Sequence, residues 1–411
     1  MSKEFYPIGE HPPLGYVPKY MMAQCIRESR FGEPKDAVKI EKLPVPSDLK
    51  PHEVLVYIMA AGVNYNVVWA SKGNPTNPIK YCNKKGDPEN FMIPGSDAAG
   101  IVWKVGSEVK NVKVGDEIII HGCRYDLEDP VVKAGIDQTF APSLHMWGFE
   151  TIYGALAQYT RIQDNQCMPK PKHLSWTAAA CHMVTGAAAY RMFYGWPPNT
   201  LQQDDPVLIW GGSGGLGSMA IELCKNAGAK PVAVVSSPQK MEYCKKLGAV
   251  GVIDRMNFDH WGALPDINDI EKYSAWIKSV KKFGKLFWEA LGEKKSPRIV
   301  FEHPGEDTLP TSLFMVDTGG MVVICGGTSG YYVSLDLRYH WVRQKRFQGS
   351  HYANDEQCYA FNKLISEKRI APCLTDVYEF EKTAECHQLL FENKQPPGNL
   401  GILVNAKTKE E

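Results

Sequence analysis

A chain of 411 residues exceeds what one hydrophobic core usually serves, so two domains are expected. With 44% hydrophobic and 22% charged residues, and 46 basic side chains against 46 acidic ones, the composition is globular and argues against nucleic acid or an anionic membrane as the main partner. The opening MSKEFYPIGEHPPLG has no apolar targeting core, and no stretch approaches the ~20 apolar residues of a membrane span, so a cytoplasmic protein without a membrane partner is expected.

Residues 20–165 read as an irregular, mostly β module. Short apolar runs such as EVLVYIMAAGV and AAGIVWKVG alternate with Gly, Pro and Asp turns, and VGDEIIIHG reads as a turn leading into a strand. Segment 71–92 is polar, rich in Asn and Lys, and is expected to loop across the surface. After the helical stretch PKPKHLSWTAAACHMVTGAAAYRMFYG the pattern changes. PVLIWGG is a buried-strand run, LGSMAIELCKNAG a helix with a glycine stop, KPVAVVSS a second strand, PQKMEYCKKLGA a helix and VGVIDR a third strand. Strand and helix alternating in this way predict right-handed crossovers and a doubly wound parallel sheet. Residues 256–293 are too long for a tight crossover and read as a helical insertion, before PRIVFEHPG and GGMVVICGG add two more short strands. The last 60 or so residues break the alternation and are expected to return to the first module. The division is therefore 1–175 with 347–411 as a catalytic domain, and 176–346 as a nucleotide-binding domain.

WGGSGGLGSMA follows a strand and opens a helix. It holds Gly212-x-Gly214-x-x-Gly217, with Ser213, Gly215 and Leu216 between them. Glycine permits the tight turn and lets backbone N–H groups reach a pyrophosphate at the helix N-terminus, so this is the expected dinucleotide site. The second strand of such a site selects the cofactor. A carboxylate there would accept from a ribose 2′-hydroxyl, whereas here Ser236, Ser237 and, one helical turn on, Lys240 leave nothing to repel a 2′-phosphate. NADPH is the expected cofactor.

This layout resembles the medium-chain dehydrogenase/reductase superfamily, which implies a GroES-like, β-rich catalytic domain beside a Rossmann domain. Zinc-dependent members carry a Cys in G-x-C and, some thirty residues on, G-H-E. Here GVNYN places Asn64 at the cysteine and PGSDAAG places Ser96 and Asp97 at the His-Glu pair. Asn and Ser are poor zinc ligands, and the 11 cysteines are scattered without a C-x-x-C pair, so no metal site is expected. Metal-free NADPH chemistry suits a C=C bond conjugated to a thioester or ketone. Hydride adds at the β-carbon and the charge moves into the carbonyl as an enolate, which positioned dipoles and excluded water must hold.

GVNYNVVW, GSDAAGIVW, WGFE, QCMPKPKHLSW, VLIWGGSGGLGS, IVFEHPG and KRFQGSHYAN, in this order, resemble the crotonyl-CoA carboxylase/reductase family from about residue 20 to residue 405. The resemblance implies reduction of crotonyl-CoA with NADPH, capture of the enolate by CO2 to give ethylmalonyl-CoA, and a cytoplasmic homotetramer. It also implies a CO2-handling group: Asn66 donating to CO2, Phe149 and Glu150 closing the pocket on an ordered water, and His351 sharing that water. Residue chemistry alone also allows duller parts: Asn66 as a turn cap, Phe149 and His351 as packing, Glu150 as a surface carboxylate. Thr185 and His303 are expected near the nicotinamide. Arg338, Arg343, Lys345 and Arg346 in RYHWVRQKRF are expected either to hold CoA phosphates or to form a cationic helix face. The rival readings are a non-carboxylating enoyl-CoA reductase, a quinone reductase and a non-catalytic NADPH-binding module.

Overall fold

A computed structural model describes residues 3–411. It divides into two units, one built from residues through Val184 with Ala353–Lys368 and Pro372–Glu411, the other from Thr185–Tyr352 with Arg369–Ala371. The boundaries fall a few residues beyond 175/176 and 346/347, for a packing reason. The short helix Trp176–Ala179 packs on strand Glu53–Gly62, and strand Arg346–Gly349 completes the sheet of the second unit.

The first unit is organised by strand Glu53–Gly62. EVLVYIMAAG is apolar nearly throughout, and all ten of its residues are buried, as a strand covered on both faces requires. It pairs antiparallel with Ala98–Val105, Tyr159–Gln163 and Asn399–Leu403, within a seven-stranded sheet that also takes in Glu117–Ile120, Cys167–Pro169 and Leu374–Tyr378. Segment 71–92 does not simply loop across the surface. Pro78–Lys84 is a helix, because Asn77 Oδ1 accepts from Lys80 N at 3.0 Å and Pro78 supplies the preset φ of a first helical residue. Its Ile79 and Cys82 are buried.

The second unit is a six-stranded, all-parallel sheet. Its order is Gly251–Asp254, Lys230–Val235, Pro206–Trp210, Ile299–Glu302, Met321–Ile324, Arg346–Gly349. The first three strands in sequence run outward one way and the last three the other, so the order reverses between Pro206–Trp210 and Ile299–Glu302, where open α/β sheets bind their ligands. Residues 256–293 are not an insertion. Helix Ile270–Leu291 is the crossover from an edge strand to the far side of the switch point, and the two strands it passes explain its length. Trp276, Val280, Phe283, Phe287 and Leu291 form its buried stripe, spaced three or four residues apart, and Phe283 stacks on Trp210 with ring centroids 5.6 Å apart.

Candidate functional site

In the second unit, the chain leaves Pro206–Trp210 through the glycine turn. Gly211 has φ +58, and a Cβ there would stand 2.6 Å from His303 Nε2; on Gly212 it would stand 2.6 Å from the Ala233 Cβ. A Cβ on Gly217 would strike the Gly211 carbonyl. These three glycines let the turn, the first helical residues and the adjacent strand close on one another. Helix Gly215–Ala227 begins at Gly214 with no side chain capping it and no acid in its first turn. Its leading N–H groups and the positive end of its dipole are therefore open to a phosphate, with Ser213 and Leu216 beside them.

At the end of the second strand, Ser237 Oγ is the N-cap of helix Pro238–Leu247, accepting from Lys240 N at 3.3 Å. This local duty was not foreseen, and it leaves the hydroxyl proton of Ser237 to donate. Ser236 and the half-buried Lys240 stand alongside, and burial holds the Lys240 ammonium below its usual range. Across the switch point, His303 Nε2 lies 3.1 Å from the Trp210 carbonyl. A carbonyl only accepts, so Nε2 carries the proton, and burial pushes the imidazole down to about 4, keeping it neutral. His303 thus props the glycine turn. Thr185 opens the second unit, one residue beyond the helix start at Met183 and Val184, whose N–H groups each donate to the buried Asp97 at 3.2 Å.

In the first unit, Asn66 lies in helix Tyr65–Lys72 with its Nδ2 2.5 Å from Ser96 Oγ and its Oδ1 buried without a partner. Ser96 follows Gly95, which has φ +101 and donates its N–H to the Gly148 carbonyl at 3.1 Å. Gly148 is equally constrained: its φ is +72, and a Cβ there would run into the Gly95 carbonyl. The next two residues are Phe149 and Glu150. Glu150 Oε2 accepts from Met146 N at 2.7 Å, which fixes the loop. Asn66 is thereby linked, through Ser96 and the Gly95–Gly148 bond, to the loop whose next residues are Phe149 and Glu150. His351 is exposed and belongs to the second unit, after Ser350, whose Oγ is 3.3 Å from the Trp196 indole nitrogen.

The four cations of 338–346 do not form one cluster. Arg338 is exposed and paired with Asp336 at 2.5 Å. Lys345 points inward, donating to the Leu313 and Phe314 carbonyls at 2.7 and 3.1 Å, and burial pushes its ammonium down to about 8. Arg346 donates to the Trp196 and Pro197 carbonyls at 3.1 and 2.9 Å. Arg343 is exposed. Sequence proximity misled here because helix, turn and strand point successive side chains in different directions.

Two family models match the chain: an alcohol dehydrogenase GroES-like domain over residues 50–172 and a zinc-binding dehydrogenase over 215–367. A crotonyl-CoA carboxylase/reductase of Cereibacter sphaeroides is 48% identical over 405 residues, spanning 98% of this chain and 92% of that one. The chain belongs to the crotonyl-CoA carboxylase/reductase family. Among solved structures, the family's AntE in complex with NADP superposes with a TM-score of 0.94 at 49% identity, covering 99% of this chain and 100% of its own. The 2-octenoyl-CoA carboxylase reductase CinF, in complex with NADP and 2-octenoyl-CoA, gives 0.87 at 33% identity over 96% and 90%. The GroES-like and Rossmann-type architecture is thereby shared across the family.

The zinc in the description of one model does not fit the side chains here. Asn64 and Ser96 offer only neutral oxygens, and Asp97 has both carboxyl oxygens occupied by Met183 and Val184 N–H groups. Among the described residues no three of His, Cys, Asp and Glu stand close enough to share a metal. A dinucleotide does fit: the three glycines let the turn close tightly under the start of Gly215–Ala227, whose N-terminus carries no side-chain cap and no acid in its first turn.

Proposed function

We propose that this chain catalyses the NADPH-dependent reductive carboxylation of an α,β-unsaturated acyl-CoA, crotonyl-CoA plus CO2 giving ethylmalonyl-CoA. NADPH, when bound, supplies hydride to the β-carbon. Gly212, Gly214, Gly215 and Gly217 would hold its pyrophosphate with backbone N–H groups, and Ser236, Ser237 and Lys240 its 2′-phosphate. Thr185 and His303 would border the nicotinamide. The chain's remaining task is to govern what the resulting enolate meets. Asn66 supplies N–H donors without an acidic proton, so it can orient CO2 and stabilise the carboxylate that forms, without protonating the α-carbon. Phe149 excludes bulk water, while Glu150 and His351 hold an ordered water that supports CO2.

What supports this reading is the Asn66–Ser96 contact together with the Gly95–Gly148 hydrogen bond, Ser96 following Gly95 and the Phe149–Glu150 loop following Gly148. The same reading assigns Arg343 as the member of the basic group with reach to a CoA phosphate. It also includes self-association into a homotetramer in the cytoplasm. Strand Arg346–Gly349 ends the parallel sheet, and Phe347 on it, with Trp341 and Val342 just before it, is exposed.

Incubation with NADPH, crotonyl-CoA, labelled bicarbonate and carbonic anhydrase tests the activity. One label per NADPH consumed is expected in the acyl-CoA product. Unlabelled butyryl-CoA would make the protein a plain enoyl-CoA reductase, and turnover of a quinone without CoA would place it elsewhere again.

A further inference from the structure

The carboxamide of Asn66 has two ends of nearly the same shape, and its chemistry depends on which of them faces Ser96. The separation between them is 2.5 Å. N–H···O bonds span roughly 2.7–3.2 Å and O–H···O bonds roughly 2.5–3.0 Å, so the contact lies below the range for an amide donor and at the short end of the range for a hydroxyl donor. The other end of the carboxamide is buried and has no partner. A buried polar atom left without a partner in a folded protein is costly, and a bound ligand is one way to supply the partner.

We propose that Ser96 is a positioning residue: its O–H donates to the Asn66 carboxamide oxygen, the reverse of the orientation in which Nδ2 faces Ser96, and so turns the NH2 into the buried position left without a partner, toward CO2. Three features support this assignment. Ser96 is only 2% exposed, so water does not compete for its single proton. Its place is fixed through the preceding residue, Gly95, by the left-handed φ of +101 and by the Gly95 N–H bond to the Gly148 carbonyl. The electrostatics also require that orientation. As the α-carbon attacks CO2, negative charge develops on the CO2 oxygens, which an NH2 stabilises and a carbonyl oxygen aimed the same way repels. With its hydroxyl lost, Asn66 is released to turn its oxygen toward the reacting atoms.

This inference rests on the carboxylation reading, and its test separates the two. The readout is the ratio of carboxylated to protonated product at one fixed CO2 concentration, which is internal to each variant and independent of its rate. Ser96→Ala is expected to lower that ratio at least fivefold, whereas Ser96→Thr, which keeps a hydroxyl, stays within twofold of the parent. In an Asn66→Ala background, Ser96→Ala is expected to change nothing further, because its effect passes through the carboxamide. Should Ser96→Ala fail to fold, Ser96→Cys has nearly the same shape and only a weak donor, and carries the same expectation. A ratio unchanged in Ser96→Ala, or an equal further fall in the Asn66→Ala background, overturns the proposal. A parent protein that fixes no label at all overturns the functional reading instead.

Discussion

Glu302 carries a carboxyl group into the interior at the end of strand Ile299–Glu302, where it is 0% exposed. Thr308 Oγ1 donates to it at 2.8 Å, Ser312 Oγ at 2.5 Å and Gly305 N at 3.2 Å, and Ser312 in turn receives the Trp210 indole at 2.7 Å. Burial outweighs these donors and pushes the carboxyl up to about 7 from its usual 4.5. The folded state therefore favours the protonated form. The stabilisation is complete below about 4.5, shrinks as pH rises, and is gone above about 7. Neighbouring His303 works in the opposite direction. Its imidazole is pushed down to about 4 from 6.5, so its contribution is lost as pH falls between those values. Glu302→Gln should abolish the first effect alone. Urea unfolding of parent and variant, compared from pH 5 to pH 8, is expected to diverge by on the order of 3 kcal/mol as the parent ionises. Parallel curves would mean that Glu302 is not the titrating group.

The segment that follows His351 is held by a set of contacts spread along the chain. Tyr352 is buried in the left-handed region at φ +51, and the Ala353 carbonyl lies 3.1 Å from Cys123 Sγ. Asn354 caps helix Asp355–Ser366 in a reciprocal box with Gln357 and donates to Asp137 Oδ2 at 3.1 Å. Tyr125 O–H donates to Asp355 Oδ2 at 2.6 Å, and the buried His121 lies 3.6 Å from the other oxygen. Half of this was readable. Asn354 and Gln357 stand at capping-box spacing in the sequence. The other half was not, since Tyr125 and Asp355 are 230 residues apart and no local pattern pairs them. A hydrogen bond to a carboxylate is worth about 1.5–3 kcal/mol. Tyr125→Phe should therefore speed hydrogen exchange of amides in the first turns of Asp355–Ser366 by roughly ten- to hundredfold, with little change in Ile270–Leu291. Equal exchange in parent and variant would show that Cys123 and the Asn354 cap hold the segment without Tyr125.

Across the whole chain, legibility followed the range of the contacts. The parallel sheet announced itself through its first three strands in sequence, where strand and helix alternate over short spans, and Gly212, Gly214 and Gly217 mark the turn in the sequence; its last strand, Arg346–Gly349, follows no such alternation. The grouping of Asn66 with Phe149 and Glu150 came only from family resemblance, since the Ser96 and Gly148 contacts between their segments are tertiary. The seven-stranded sheet was the least readable part. Its strand Glu53–Gly62 takes as one partner Asn399–Leu403, which lies between it and Leu374–Tyr378 and is buried at all five positions. Beyond that strand, the backbone N–H groups of Val404, Asn405 and Ala406 all reach the Met59 carbonyl, and the Asn405 side chain donates to the Ile58 carbonyl at 2.7 Å. Residues 407–411, by contrast, are exposed. A chain ending at 406 is thus expected to melt within a few degrees of the parent. One ending at 397 strips the central strand Glu53–Gly62 of one of its three partners and uncovers Ile58 and Met59, creating an edge prone to intermolecular pairing. It should accumulate in the insoluble fraction. Recovery of a soluble 397-residue chain with the parent's melting temperature would show that the first unit's sheet closes without its last strand.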